Sequence, residues 1–124
     1  MQILSASAQL RTTDLEASIA FFVEKLGFEL EFRHQDFYAG IRAGTQVFHL
    51  KRVDEPDPAI AYVRDGEHFD LYFRVEDAAE AATELKAKGV ALQVDVHDTA
   101  WGTREFVVRD DQGHTLYFAA ALGG

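Results

Sequence analysis

His49 and Asp70 are the side chains in this sequence best suited to proton transfer. An imidazole titrates near neutral pH, and a carboxylate on a neighbouring strand can orient it as a base. Phe37, Tyr72, Trp101 and Tyr117 are candidate ligand contacts, because aromatic faces stack on planar molecules and attract cations. In the run Phe69 to Val75 the odd positions are apolar, and Asp70, Tyr72 and Arg74 alternate with them. Period-2 alternation therefore sets a carboxylate, a phenol and a guanidinium on one strand face, as a polar cavity wall requires. The same alternation sets Thr115, Tyr117 and Ala119 on one face, and Val47, His49 and Lys51 on another. A carboxylate in so apolar a strand needs a partner, either Arg74 or Arg104 in an ion pair or a bound ligand. The single tryptophan, Trp101, stands beside Gly102 where the chain enters a strand, and serves either as a stacking wall or as a plug at the sheet end. Of Phe37 and Tyr38, only one can point inward, and Phe37 is the expected one. There is no cysteine, so thiolate catalysis and Cys-ligated metal sites are excluded. No glycine-rich phosphate cradle or serine nucleophile elbow is present.

Two copies of one pattern must position these residues. Thr13 to Gly27 reads as a helix, with Thr13 and Glu16 as a capping box and Leu15, Ile19, Phe22 and Leu26 on one face. Asp77 to Gly89 repeats the grammar with Glu80 three residues after the cap and Ala78, Ala82 and Leu85 as a slimmer stripe. Strands are expected over 3–10, 28–32, 37–42 and 45–51 around the first helix. Around the second they are expected over 69–75, 90–96, 104–109 and 115–120. The order is strand, helix, three strands, then the same again. This predicts an α+β domain of two βαβββ modules, module one over 1–52 and module two over 68–124. The acidic stretch 53–67, with Pro56 and Pro58, reads as the linker.

The chain has 124 residues, enough for one domain, and 48% of them are hydrophobic. Twelve Lys and Arg against 21 Asp and Glu give a net charge of −9. A field of that sign repels nucleic acid and anionic membranes and favours cationic or neutral ligands. No apolar run has the length of a membrane helix, and a cytoplasmic location is expected.

Several segments resemble the vicinal oxygen chelate superfamily, which includes glyoxalase I, extradiol dioxygenases and bleomycin resistance proteins. They are Thr13-Asp14-Leu15-Glu16-Ala17-Ser18-Ile19-Ala20-Phe21-Phe22 with Lys25-Leu26-Gly27-Phe28, then Val75-Glu76-Asp77-Ala78-Ala79-Glu80 with Lys88-Gly89-Val90. Trp101-Gly102-Thr103-Arg104-Glu105-Phe106 and Val108-Arg109-Asp110-Asp111-Gln112-Gly113-His114 resemble its closing hairpin. The resemblance implies that each module curls its sheet into half a barrel around a pocket, usually across a homodimer. It also implies where metal-dependent relatives hold a divalent ion. Those positions carry Ser7, His49, Asp70 and Tyr117 here, with His68 as a remote further candidate. Hydroxyls are weak donors at neutral pH, and two strong ligands fall short of the usual three. No metal or other cofactor is therefore expected. The resemblance then points to the bleomycin resistance branch, with metal-independent binding and sequestration of a small hydrophobic or cationic molecule. The alternative is a metal-dependent glyoxalase-like lyase or isomerase, or a dioxygenase, using His49 and Asp70.

Overall fold

The computed structural model describes residues 1–123, and Gly124, the last residue of the expected second module, lies outside them. The chain divides into two compact units, Met1–Asp57 and Pro58–Gly124. Each is built on a four-stranded mixed sheet.

In the first unit, β1 (Gln9–Thr12), β2 (Glu29–His34), β3 (Tyr38–Ala43) and β4 (Gln46–Arg52) take the order β1-β4-β3-β2. β1 runs parallel to β4, and the other pairs are antiparallel. Helix α1 (Leu15–Ala20) continues into a π-helical turn, Phe21–Lys25, and the expected stripe Leu15, Ile19, Phe22 and Leu26 is buried. Phe22 is fully buried, its ring meeting Phe48 edge-on at 5.0 Å and stacking on Phe28 at 6.2 Å. Gly27, at φ 76°, stops the helix in the left-handed conformation that glycine adopts without strain.

Three local expectations are corrected here. The N-cap of α1 is Asp14, whose side chain accepts the Ala17 N–H at 3.0 Å. Thr12 and Ser18 join their hydroxyls at 2.7 Å beneath it, which holds the chain entry one residue further on than a cap at Thr13 would. The first strand begins at Gln9, because Ile3 and Leu4 find no apolar surface in the described chain and stay 70% and 91% exposed. The stretch read as a linker contains helix α2 (Pro58–Asp65), which starts with a proline whose missing N–H costs nothing there and buries Ile60.

In the second unit, β5 (Leu71–Arg74), β6 (Leu92–Asp98), β7 (Thr103–Arg109) and β8 (Thr115–Ala121) take the same arrangement, β5-β8-β7-β6. β5 is parallel to β8. Helix α3 (Ala78–Ala87) is capped as expected by Asp77, which accepts the Glu80 N–H at 3.0 Å, and buries Ala78, Ala82 and Leu85. Under it, Phe106 stacks on Phe118 at 4.9 Å with the rings 3° from parallel, and Phe73 lies 5.0 Å from Phe118. Among the described residues, no helix is long and apolar enough to cross a membrane.

Candidate ligand-binding site

The face of the second sheet opposite the Phe106–Phe118 core is built in transverse rows. Strand register aligns Tyr72, Tyr117, Val107 and Val94 across β5, β8, β7 and β6. Alternation puts Glu105 and Arg109 beside Val107, and Thr115 beside Tyr117, on that same face. A cavity of about 480 Å³ opens here, within the range of small-molecule sites. Val94, Trp101, Val107 and Tyr117 give it apolar walls, while Arg64, Glu67, His68, Gln93, Arg109 and Thr115 add polar groups.

The aromatic part is continuous. Phe69 lies 5.4 Å from both Tyr72 and Tyr117, and the two tyrosine rings are 6.4 Å apart. Trp101 is 74% exposed, which leaves its indole face open rather than plugging the sheet end. The Tyr72 hydroxyl donates to Glu105 at 3.2 Å, and the Thr103 hydroxyl donates to the same oxygen at 2.8 Å. Glu105 is buried, so these donors supply the solvation its carboxylate lost. Burial, followed by the charge and hydrogen bond of Glu105, pushes the Tyr72 phenol above its ordinary value and keeps it protonated.

Asp70 has a different setting from the expected wall. It precedes β5, and its carboxylate accepts the Thr115 N–H at 2.8 Å while its own N–H donates to the Thr115 carbonyl. The bend at Asp70 breaks the alternation, so Phe69 joins Tyr72 and Tyr117 instead of Leu71 and Phe73.

His49 belongs to the first unit, where β1, β4, β3 and β2 align Gln9, His49, Gly40 and Phe32. Gln9 donates to the Tyr38 hydroxyl at 3.0 Å, and that hydroxyl is 3.0 Å from His49 Nδ1. The Tyr38 hydroxyl thus links Gln9 to the imidazole, and which partner donates to the other depends on the His49 tautomer. Of the pair Phe37 and Tyr38, it is Tyr38 that joins His49; Phe37 is half exposed, with the Lys51 ammonium 5.9 Å from its ring centre. The Phe32 ring packs where a Gly40 side chain would stand: a Cβ there would lie 2.1 Å from the ring. Gly40→Ala is expected to swing Phe32 away from His49, shifting the imidazole proton resonances while changing stability by only about 1 kcal/mol. Proton NMR and a melting curve check both parts.

Of the four positions that the resemblance implies, Ser7 and Tyr117 offer only hydroxyls, which are weak donors to a divalent ion. Among the described residues, no group of three or more His, Asp or Glu gathers to hold an ion. Asp70 caps a backbone amide, and Tyr117 stands in the aromatic row. Glu105 and Arg109 were the residues sequence reading missed on this face, whereas alternation had already set Thr115 beside Tyr117. The alternation of Thr103 to Arg109 could have shown both, had that strand been paired with Tyr117.

Two repeated modules, each a four-stranded mixed sheet with helices on one face and a semi-polar wall on the other, define a paired βαβββ protein. The chain belongs to the Glyoxalase/Bleomycin resistance protein/Dioxygenase superfamily, whose model matches residues 4–118. A protein of Mycolicibacterium smegmatis (strain ATCC 700084 / mc(2)155) is 33% identical over 114 residues, covering 91% of this chain and 90% of its own. The crystal structure of the bleomycin-binding protein from bleomycin-producing Streptomyces verticillus, complexed with copper(II)-bleomycin, is 26% identical. The match covers 98% of both chains, with a TM-score of 0.74. A lactoylglutathione lyase from Agrobacterium tumefaciens shares the fold, with a TM-score of 0.72 at 19% identity over 96% of this chain and 95% of its own.

Proposed function

We propose that this protein binds a small, largely hydrophobic aromatic molecule and sequesters it without a metal. The observation that carries the reading is an open cavity of about 480 Å³ lined by Tyr117 and Trp101, with Tyr72 beside Tyr117 in the same aromatic row. The similarity to a bleomycin-binding protein supports it. A cationic ligand was expected from the net charge, but the cavity wall has Arg64, Arg109 and His68 beside one carboxylate, Glu67. Arg64 is already held by Asp65 at 2.9 Å, which leaves Arg109 beside Glu67, so the wall itself carries no excess of negative charge to select a cation. The homodimer implied by the resemblance is part of the proposal, and sedimentation velocity tests it.

Trp101 is the sole tryptophan and a cavity residue, so its fluorescence reports binding directly. Titration with a panel of neutral, anionic and cationic bicyclic aromatics is expected to give saturable quenching, with the compound recovered unchanged by chromatography. Tyr117→Ala is expected to weaken the best binder about tenfold or more, as loss of a central aromatic contact does. No saturable response in the panel would overturn the reading. A melting temperature raised selectively by Ni²⁺, Zn²⁺, Mn²⁺ or Fe²⁺, and no longer raised after His49→Ala and Asp70→Ala, would replace it with the metal-dependent enzyme.

A further inference from the structure

We infer that the cavity of the second unit has a subsite for a hydrogen-bond acceptor, a carboxylate on the aromatic ligand, built by Arg109 and Thr115. The inference rests on the sequestration reading above and names the ligand class more closely. Arg109 and Thr115 are register partners on β7 and β8, and both line the cavity. Arg109 Nε and Thr115 Oγ1 are buried, and neither has a hydrogen-bond partner. Thr115 is only 5% exposed. Its backbone is already satisfied, since the N–H reaches the Asp70 carboxylate and the carbonyl accepts the Asp70 N–H. The hydroxyl is what remains.

Arg109 makes no salt bridge among the described residues. The carboxylate whose charge it feels, Asp65, is itself held by Arg64 at 2.9 Å. Buried polar groups in folded proteins are nearly always paired, so two orphans on adjacent strands in one cavity wall call for an outside partner. A guanidinium only donates, and its planar fork matches a carboxylate. Arg64, on the same wall, is already held by Asp65, which leaves Arg109 as the guanidinium there without a salt bridge among the described residues. Thr115 and Tyr117 are two residues apart on β8, roughly 7 Å along a strand. An acid group attached directly to a bicyclic ring spans that distance, with the ring against Tyr117 and Trp101.

Calorimetric titration of the full chain at pH 7.5 with 2-naphthoate and with 2-naphthylmethylammonium, its cationic counterpart, tests this. The naphthoate is expected to bind at least tenfold more tightly. Arg109→Met and Thr115→Val are each expected to weaken naphthoate fivefold or more and to leave the ammonium compound within twofold. Thr115→Val keeps the side-chain shape and the backbone contacts to Asp70, so its melting temperature is expected not to fall. That variant decides the matter if Arg109→Met fails to fold. Equal or tighter binding of the ammonium compound, or naphthoate affinity untouched by Thr115→Val, overturns the subsite and leaves the sequestration reading standing. Binding of neither compound overturns the subsite, and the fluorescence panel then decides the sequestration reading separately.

Discussion

Asp110→Ala is expected to remove about 3–5 kcal/mol of folding stability, a large share of the ~5–15 kcal/mol that holds a domain folded. Asp110 and His114 are both buried, and the imidazole Nδ1 lies 2.7 Å from the carboxylate. The other carboxylate oxygen accepts the Gln112 N–H at 3.0 Å and the His114 N–H at 2.8 Å, which shapes the turn between β7 and β8. Alanine strands the imidazole and two amides at once. Burial by itself would depress His114, but the hydrogen bond and charge of Asp110, with Asp70 and Asp111, outweigh it and hold the imidazole above its usual 6.5. A raised value in the fold means that the stability from this pair is fully present below about pH 6.5. It is lost as pH rises through the folded value. Urea midpoints of the wild type are therefore expected to fall from pH 6 to pH 9, at constant urea dependence, with a clearly shallower slope in Asp110→Ala. Equal slopes, or a loss below about 1 kcal/mol, would remove the pair from the account of stability.

Phe106→Ala is expected to cost about 3–5 kcal/mol, the range for deleting a buried aromatic ring. Phe106 is wholly buried and stacked on Phe118, its register partner on β8. That stack lies directly behind the ligand wall. The neighbouring pair along the same two strands is Val107 and Tyr117, which faces the cavity, and Arg109 and Thr115 follow. Loss of the ring is therefore expected to lower both the urea midpoint and the amplitude of ligand-induced Trp101 quenching. Phe106→Leu, which restores much of the volume, is expected to recover the larger part of each. A stable Phe106→Ala protein with unchanged quenching would mean that the core does not set the wall.

Much of this molecule was readable from local pattern. The stripe Leu15, Ile19, Phe22 and Leu26, the cap at Asp77 and the helix stop at Gly27 each depend on residues within about one or two turns, so spacing alone revealed them. The doubled order of elements followed from the same signals. The candidate site was legible only in part. Tyr72, Trp101 and Tyr117 could be named from residue type and alternation, and the structure sets Trp101 and Tyr117 on one cavity with Tyr72 beside Tyr117.

What alternation could not give was the partner of each polar group. Glu105 receives the Tyr72 hydroxyl from 33 residues away, and Asp70 takes the Thr115 amide from 45 away. Periodicity says which face a side chain occupies, but strand pairing decides what stands opposite it. The bend at Asp70 is likewise settled by a distant contact, where pairing Asp70 with Thr115 outweighs the local alternation. The sequence by itself determined the elements, their order and their apolar faces, because those follow from short-range spacing. The tertiary structure alone decided that Asp70 caps a backbone amide and that Arg109 and Thr115 share a cavity wall, because both depend on which strands lie side by side.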